Sequence, residues 1–290
     1  MKVRRFSASF FLILSLAFAL RAAAQFPAEW TRPFPPFRIA GNLYYVGSAD
    51  LASYLVATPE GLILINSNLK VSPPLIRKSV QALGFKWSDI KILLISHGHN
   101  DHCGGSAEIV KETGAKYEVM EGDVAVVESG GRKDFQYGAE EVMWYEPAHV
   151  DRVLHDGDTV SLGGTVLTAH LTAGHTRGTT TWTVDEREGG RTLHVVIVGS
   201  PNVNPGYKLV GNKTYPQIAE DYKREFAVLR SLPCDIFLGA HGEYFDLQEK
   251  YAKWKNGDRN AFIDPDGYKA YVADRQQAFE AELAKQSGTR

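Results

Sequence analysis

The chain has 290 residues, 44% of them hydrophobic and 23% charged, which fits a globular protein and excludes a mostly disordered one. A formal net charge of −2 without a basic cluster argues against a nucleic-acid binder. No Pro/Ser-rich linker, charge run or repeat of about 20–50 residues divides it, so a single large domain is expected.

In chain order, Lys2, Arg4 and Arg5 give a basic start, and residues 6–20 are apolar apart from three serines. Ala22, Ala23 and Ala24 precede Gln25, completing the three-part plan of a secretory signal peptide over residues 1–24. The apolar run is short for a membrane span, so cleavage is expected rather than an anchor. The expected mature domain is 25–290, in the periplasm and without a membrane segment. It loses four basic residues and carries −6, a charge that suits a small-molecule substrate; a monomer is expected. No Cys lies near the cleavage site, and Cys103 and Cys234 are expected to be free thiols.

An irregular Pro/aromatic stretch follows over 26–37. Strand-like runs come next at 43–46, 53–57 and 62–66, punctuated by Gly41-Asn42 and Pro59-Glu60-Gly61. An amphipathic helix is expected over 73–84, with Ser72 as N-cap and Pro73 at the first helical position. Residues 90–95 form a nearly continuous apolar strand of the kind buried on both faces, and it runs almost directly into His97. Helices are predicted at 107–112 and 123–128 around a strand at 117–120. A β-rich block covers 159–162, 165–172 and 180–184. Another buried strand, 193–198, ends at Gly199-Ser200. The clearest helix is 216–232, with Ile218, Tyr222, Phe226 and Leu229 on one side. A strand at 235–238 ends near His241, and a closing helix covers 268–285. Strands and helices in two such blocks indicate a layered α/β (α+β) architecture.

Of nine histidines, five lie shortly after an apolar strand beside Gly or another small residue: His97, His99, His102, His175 and His241. His97 and His99 are two apart at a strand end, so their side chains point the same way and can grip one ion. Asp101 and His102 follow on the turning loop and are free to aim at a second. Imidazole and carboxylate suit zinc, and three ligands per ion leave the open position that a catalytic site keeps. His149, His155, His170 and His194 are scattered and read as surface or structural residues. Thr176, beside His175, is a candidate hydrogen-bond partner for a ligand histidine.

His97-Gly98-His99-Asn100-Asp101-His102, followed by Gly174-His175-Thr176 and Ala240-His241, resembles the signature of the metallo-β-lactamase superfamily. The resemblance covers nearly all of 28–288. It implies an αββα sandwich with two Zn2+ at one edge of the sheets. His97, His99 and His175 would hold one zinc, and Asp101, His102 and His241 the other. Many superfamily members that act on other substrates carry a bridging carboxylate at the end of strand 196–198, and two β-lactamase subclasses carry a Cys there. Here that strand ends in Gly199-Ser200. The remaining ligand pattern resembles subclass B3, as do Asn204-Pro205-Gly206-Tyr207, Tyr215-Pro216 and Phe262-Ile263-Asp264-Pro265.

The resemblance implies opening of the β-lactam ring of penicillins, cephalosporins and carbapenems by a hydroxide that the zincs generate. Asp101 would orient that hydroxide, Ser200 would bind the substrate carboxylate, and Trp30 and Phe135 would wall the site. Phe135 and Tyr137 resemble part of a mobile loop flanking substrate. A lactonase or thioesterase of the same superfamily is the alternative, and a non-enzymatic zinc binder a further one. Arg177 stands where the family often has Pro, which loosens the loop behind His175 and adds charge.

Overall fold

The computed structural model describes residues 26–288. The expected signal peptide, 1–24, lies outside them. Among the described residues no helix is long and apolar enough to cross a membrane.

Twelve strands form two mixed sheets. The first holds β1 (Phe37–Ala40), β2 (Leu43–Tyr45), β3 (Tyr54–Thr58), β4 (Gly61–Ile65), β5 (Ile90–Leu94), β6 (Lys116–Met120) and β7 (Arg152–Leu154), paired in that order. The second holds β8 (Thr159–Leu162), β9 (Thr165–Leu171), β10 (Thr180–Glu188), β11 (Arg191–Val198) and β12 (Ile236–Gly239), in the spatial order β12-β11-β10-β9-β8. Seven helices accompany them: α1 (Pro73–Ala82), α2 (Asn100–Cys103), α3 (Ser106–Thr113), α4 (Glu121–Glu128), α5 (Ile218–Ser231), α6 (Leu247–Lys255) and α7 (Pro265–Ser287).

Strand alternation explains the layering. In β4, Ile63 and Ile65 face the core between the sheets with Trp182, Val184, Leu167 and Ile197. Leu62 and Leu64 face the other way, packing with Ile76 and Val80 of α1 and Ile109 of α3. On the far side, Tyr222, Phe226 and Leu229 of α5 bury themselves with Tyr268 and Phe279 of α7. The result is helix, sheet, sheet, helix, as the sequence resemblance implies. The expected helices at 73–84 and 216–232 are present with slightly shorter bounds.

Five elements differ from the sequence reading. β1 begins at the end of the stretch expected to be irregular, β10 runs four residues further than 184, and α2, β7 and α6 are additional. β1 and β7 are only four and three residues long, too short for a period to show. β5, β9, β11 and β12 all end at one rim of the sandwich, which is where the five clustered histidines fall.

Candidate metal centre

Each ligand-bearing loop leaves the end of a sheet strand: β5, β9 or β12. The loop after β5 is braced by the loop after β4, where Asn66 and Asn68 adopt left-handed backbone (φ 67° and 55°). Asn66 Oδ1 accepts the Ser96 N–H at 2.7 Å, and Ser67 N donates to His102 O at 3.0 Å. Trp182 Nε1 of the second sheet donates to Ile95 O at 3.0 Å, so both sheets fix the chain just before His97.

Asp123, buried in α4, clasps two ligand loops. Its Oδ2 accepts from Gly98 N (2.7 Å) and Thr176 Oγ1 (2.7 Å), and its Oδ1 accepts from Gly178 N (2.9 Å). Thr176 therefore bonds Asp123 rather than a ligand histidine. A Cβ on Gly178 would lie 2.5 Å from Asp123 N, which explains the glycine. Arg177 is exposed, lies over the Tyr215 ring at 4.9 Å and donates to Thr214 O. It points its charge away, and the clasp supplies the rigidity that a proline gives elsewhere.

His97, His99 and His175 present ligand atoms within 4.8 Å of one another, and so do His97, Asp101 and His102. Asp101 Oδ2 is 3.3 Å from His102 Nε2 and 3.6 Å from His241 Nε2. The His97 ring lies 4.2 Å from that of His102, so the two clusters adjoin. All five histidines are buried. His149, His155, His170 and His194 lie elsewhere, paired with Glu128, Asp158, Thr183 and Asp185 respectively.

The donor set fits zinc. His97 Nε2 and both nitrogens of His102 are buried with no hydrogen-bond partner among the described residues. Orphaned polar atoms cost about 1–3 kcal/mol each unless something binds them. Burial, followed by repulsion from the neighbouring imidazoles, holds His97 well below its ordinary pKa; burial together with His99 takes His175 to about 3. Both are thus neutral, as ligands must be. Burial also opposes charge on His241, but Asp101 and Asp50 outweigh it and raise it to about 9. Asp101 stays ionised because His102 and His241 outweigh its own burial. This half of the centre is rich in anionic charge that a divalent cation would neutralise.

Second contacts orient the rings. His175 Nδ1 donates to Asn202 O at 2.8 Å, and His241 Nδ1 donates to Asp50 Oδ2 at 2.8 Å, leaving Nε2 of each for a metal. Asp50, Asp123 and Asn202 escaped the sequence reading. Their partners lie far away in the chain, and no local pattern marks them.

A cleft of about 420 Å³ opens over the clusters, bordered by Trp30, Tyr137, Asn202, Asn204 and Tyr244. Trp30 packs 5.5 Å from the His241 ring, and Tyr137 stands 5.3 Å from that of His99. Two residues expected to contact substrate, Phe135 and Ser200, are not among those lining the cleft. Phe135 packs beneath the cleft on Tyr207 and Tyr215. Ser200 is fully buried, with Oγ 3.2 Å from the Tyr244 hydroxyl. A strand-end Ser in a two-sheet core has its side chain drawn inward, and Tyr244 takes the cleft position. Cys103 and Cys234 are free thiols, as expected.

A fold with paired His/Asp clusters at the rim of two sheets defines a metallohydrolase class, and the family description "Metallo-beta-lactamase superfamily" matches residues 51–241. The chain belongs to that superfamily. Within it, the native FEZ-1 metallo-beta-lactamase of Legionella gormanii is 56% identical, with a TM-score of 0.89 over 90% of this chain and 99% of that one. BJP-1, a subclass B3 metallo-beta-lactamase of Bradyrhizobium japonicum, is 38% identical, with a TM-score of 0.84 over 90% of this chain and 98% of that one. A metal-dependent hydrolase of Anaeromyxobacter dehalogenans is 27% identical over 209 residues, 69% of this chain; the match spans 65% of that relative's length.

Proposed function

We propose that the chain is a secreted di-zinc hydrolase that opens the β-lactam ring of penicillins, cephalosporins and carbapenems. The observation that carries this reading is the pair of adjoining ligand clusters, free of any bridging side chain at the Gly199-Ser200 strand end, beneath a cleft bordered by aromatic and amide groups. His97, His99 and His175 hold one zinc; Asp101, His102 and His241 hold the other. Zinc bound there would lower the pKa of water to about 7 and polarise a carbonyl oxygen.

The chain's own residues do the rest. Asp101 would present Oδ2, which lies beside His102 Nε2 and His241 Nε2, to the zinc those rings hold, and its other oxygen would accept a hydrogen bond from water. Asp50 and Asn202 hold the His241 and His175 rings in the ligating tautomer. Trp30 and Tyr137 wall the cleft and exclude water. Ser200 acts through Tyr244, whose hydroxyl also receives the Asn202 amide at 2.8 Å. Phe135 supports the floor of the arm that carries Tyr137. Ser96 Oγ lies 3.4 Å from His97 Nδ1 but is buried and outside the cleft lining, and this reading needs no serine nucleophile. Both clusters come from one chain, which suits a monomer, and a leader removed on export places it in the periplasm.

The test is hydrolysis of a carbapenem and a cephalosporin by the zinc-loaded protein, with and without chelator. Turnover abolished by chelator and restored by zinc supports the reading. Turnover of an acyl-homoserine lactone or glutathione thioester instead, with the β-lactams untouched, replaces it with the lactonase or thioesterase alternative.

A further inference from the structure

The arm between α4 and β7, residues 129–144, leaves α4 through Gly130 and Gly131, both in left-handed backbone (φ 63° and 86°). It then turns at Asp134, whose N–H donates to Gly131 O at 3.1 Å. The Asp134 side chain is only 4% exposed. Its Oδ1 accepts the backbone N–H of Gln136 (2.8 Å) and of Tyr137 (2.6 Å), which pins the carboxylate plane. Its Oδ2 is buried and has no hydrogen-bond partner among the described residues. That oxygen lies 3.5 Å from His99 Nε2, which is itself buried and orphaned.

Two unpaired buried atoms facing each other carry information, because their chemistry is not symmetric. A carboxylate only accepts, so the proton must sit on the imidazole nitrogen that faces it. With Nε2 protonated, the lone pair of His99 is on Nδ1. The separation exceeds the roughly 2.7–3.2 Å of an N–H···O bond, so the contact has slack to close. A ligand ion on Nδ1 would make Nε2–H a stronger donor and draw the two together.

We propose that Asp134 is a positioning residue for the metal centre, fixing His99 with its proton on Nε2 and Nδ1 toward the metal, and thereby coupling the arm over the cleft to metal binding. It rests on the metal-centre reading above. His175 and His241 take their partners, Asn202 and Asp50, from strand-end loops on the rim of the sandwich. His99 takes its partner from the arm. The same arm lays Tyr137 against the His99 ring at 5.3 Å and receives the Asn204 amide on the Tyr137 hydroxyl at 3.1 Å. Anything that lifts the arm withdraws both contacts from one ligand, and by reciprocity metal at that ligand holds the arm down.

Asp134→Asn is the informative variant. Its carbonyl oxygen still accepts from Gln136 and Tyr137, so the turn is kept, while its NH2 group sets a donor against a donor at His99 Nε2. Zinc affinity is measured by competition with a chromophoric chelator. Separately, exchangeable imidazole N–H signals are recorded by proton NMR on the cobalt(II)-loaded full chain. The expected result is zinc bound 10–100-fold more weakly at one site, the other changed less than twofold, and the His99 N–H signal lost or exchanging faster. In the wild type, which needs no variant to fold, that signal should belong to Nε2–H. Two tightly bound metals with His99 ligating through Nε2, or a folded Asn variant with wild-type affinity at both sites, would overturn the proposal and leave the metal centre standing. A wild type that binds no metal overturns both.

Discussion

Asp50 shows how much of a metal centre rests on one atom outside it. Its carboxylate receives His241 Nδ1 at 2.8 Å and Glu243 N at 3.0 Å, so the ring and the chain beside it are held together. Asp50→Ala should weaken zinc at the His241 cluster by about 10–100-fold. Chelator competition that returned the wild-type affinity would remove Asp50 from the account. Glu225 poses a different question. It is fully buried, neither oxygen has a hydrogen-bond partner among the described residues, and burial holds its pKa well above the ordinary 4.5. The folded chain therefore keeps a proton that the unfolded chain releases above about pH 4.5, so this group's contribution is most favourable below that pH and worsens as pH rises. Glu225→Gln removes the dependence. Its melting temperature should gain on that of the wild type progressively from pH 5 to pH 8; a difference constant across that range would contradict the assignment. The metal-ligating side chains were legible in the sequence because His97, His99, Asp101 and His102 crowd into six positions. Asp50, Asp123 and Asp134 were not, since an aspartate whose partner is a distant backbone N–H or imidazole looks like any other surface acid.

At the scale of elements, α4 joins the loop after β5 to the loop after β9. Asp123 receives three donors from them, and hydrogen bonds to a buried charge contribute about 1.5–3 kcal/mol each. Asp123→Ala should therefore destabilise by more than about 3 kcal/mol, lowering the melting temperature by roughly 10 °C at about 2–4 °C per kcal/mol. Zinc bound by His97, His99 and His175 should weaken with it. Calorimetry that showed a loss under 1 °C would mean the clasp is dispensable. β5 and β12, which lead to ligand histidines, were readable because each is a nearly unbroken apolar run; β9, which leads to His175, mixes Thr165, Thr168 and His170 with apolar residues. α6 was equally readable in principle: Leu247, Tyr251 and Trp254 recur at helical spacing, but Glu249, Lys250 and Lys253 between them mask it. The inward turn of Ser200 was not readable, because the direction of a strand-end side chain depends on the sheet stacked against it.

For the whole molecule, the two sheets act as one support. Trp182 of β10 fills the space between them and bonds the carbonyl of Ile95, two residues before His97. Trp182→Ala should cost about 3–5 kcal/mol through the cavity alone and should also loosen zinc at His97; a melting curve and zinc titration matching the wild type would show that the sheets hold the rim without it. The blocks of strands and helices indicate a layered architecture, but the αββα order follows from the motif's resemblance, because periodicity does not show how sheets stack. The most direct test of the central claim is hydrolysis of a carbapenem and a cephalosporin by the purified zinc-loaded protein, followed by absorbance. The account predicts turnover of both, lost with chelator and restored by added zinc. A folded protein carrying two zinc ions that turns over neither would contradict it.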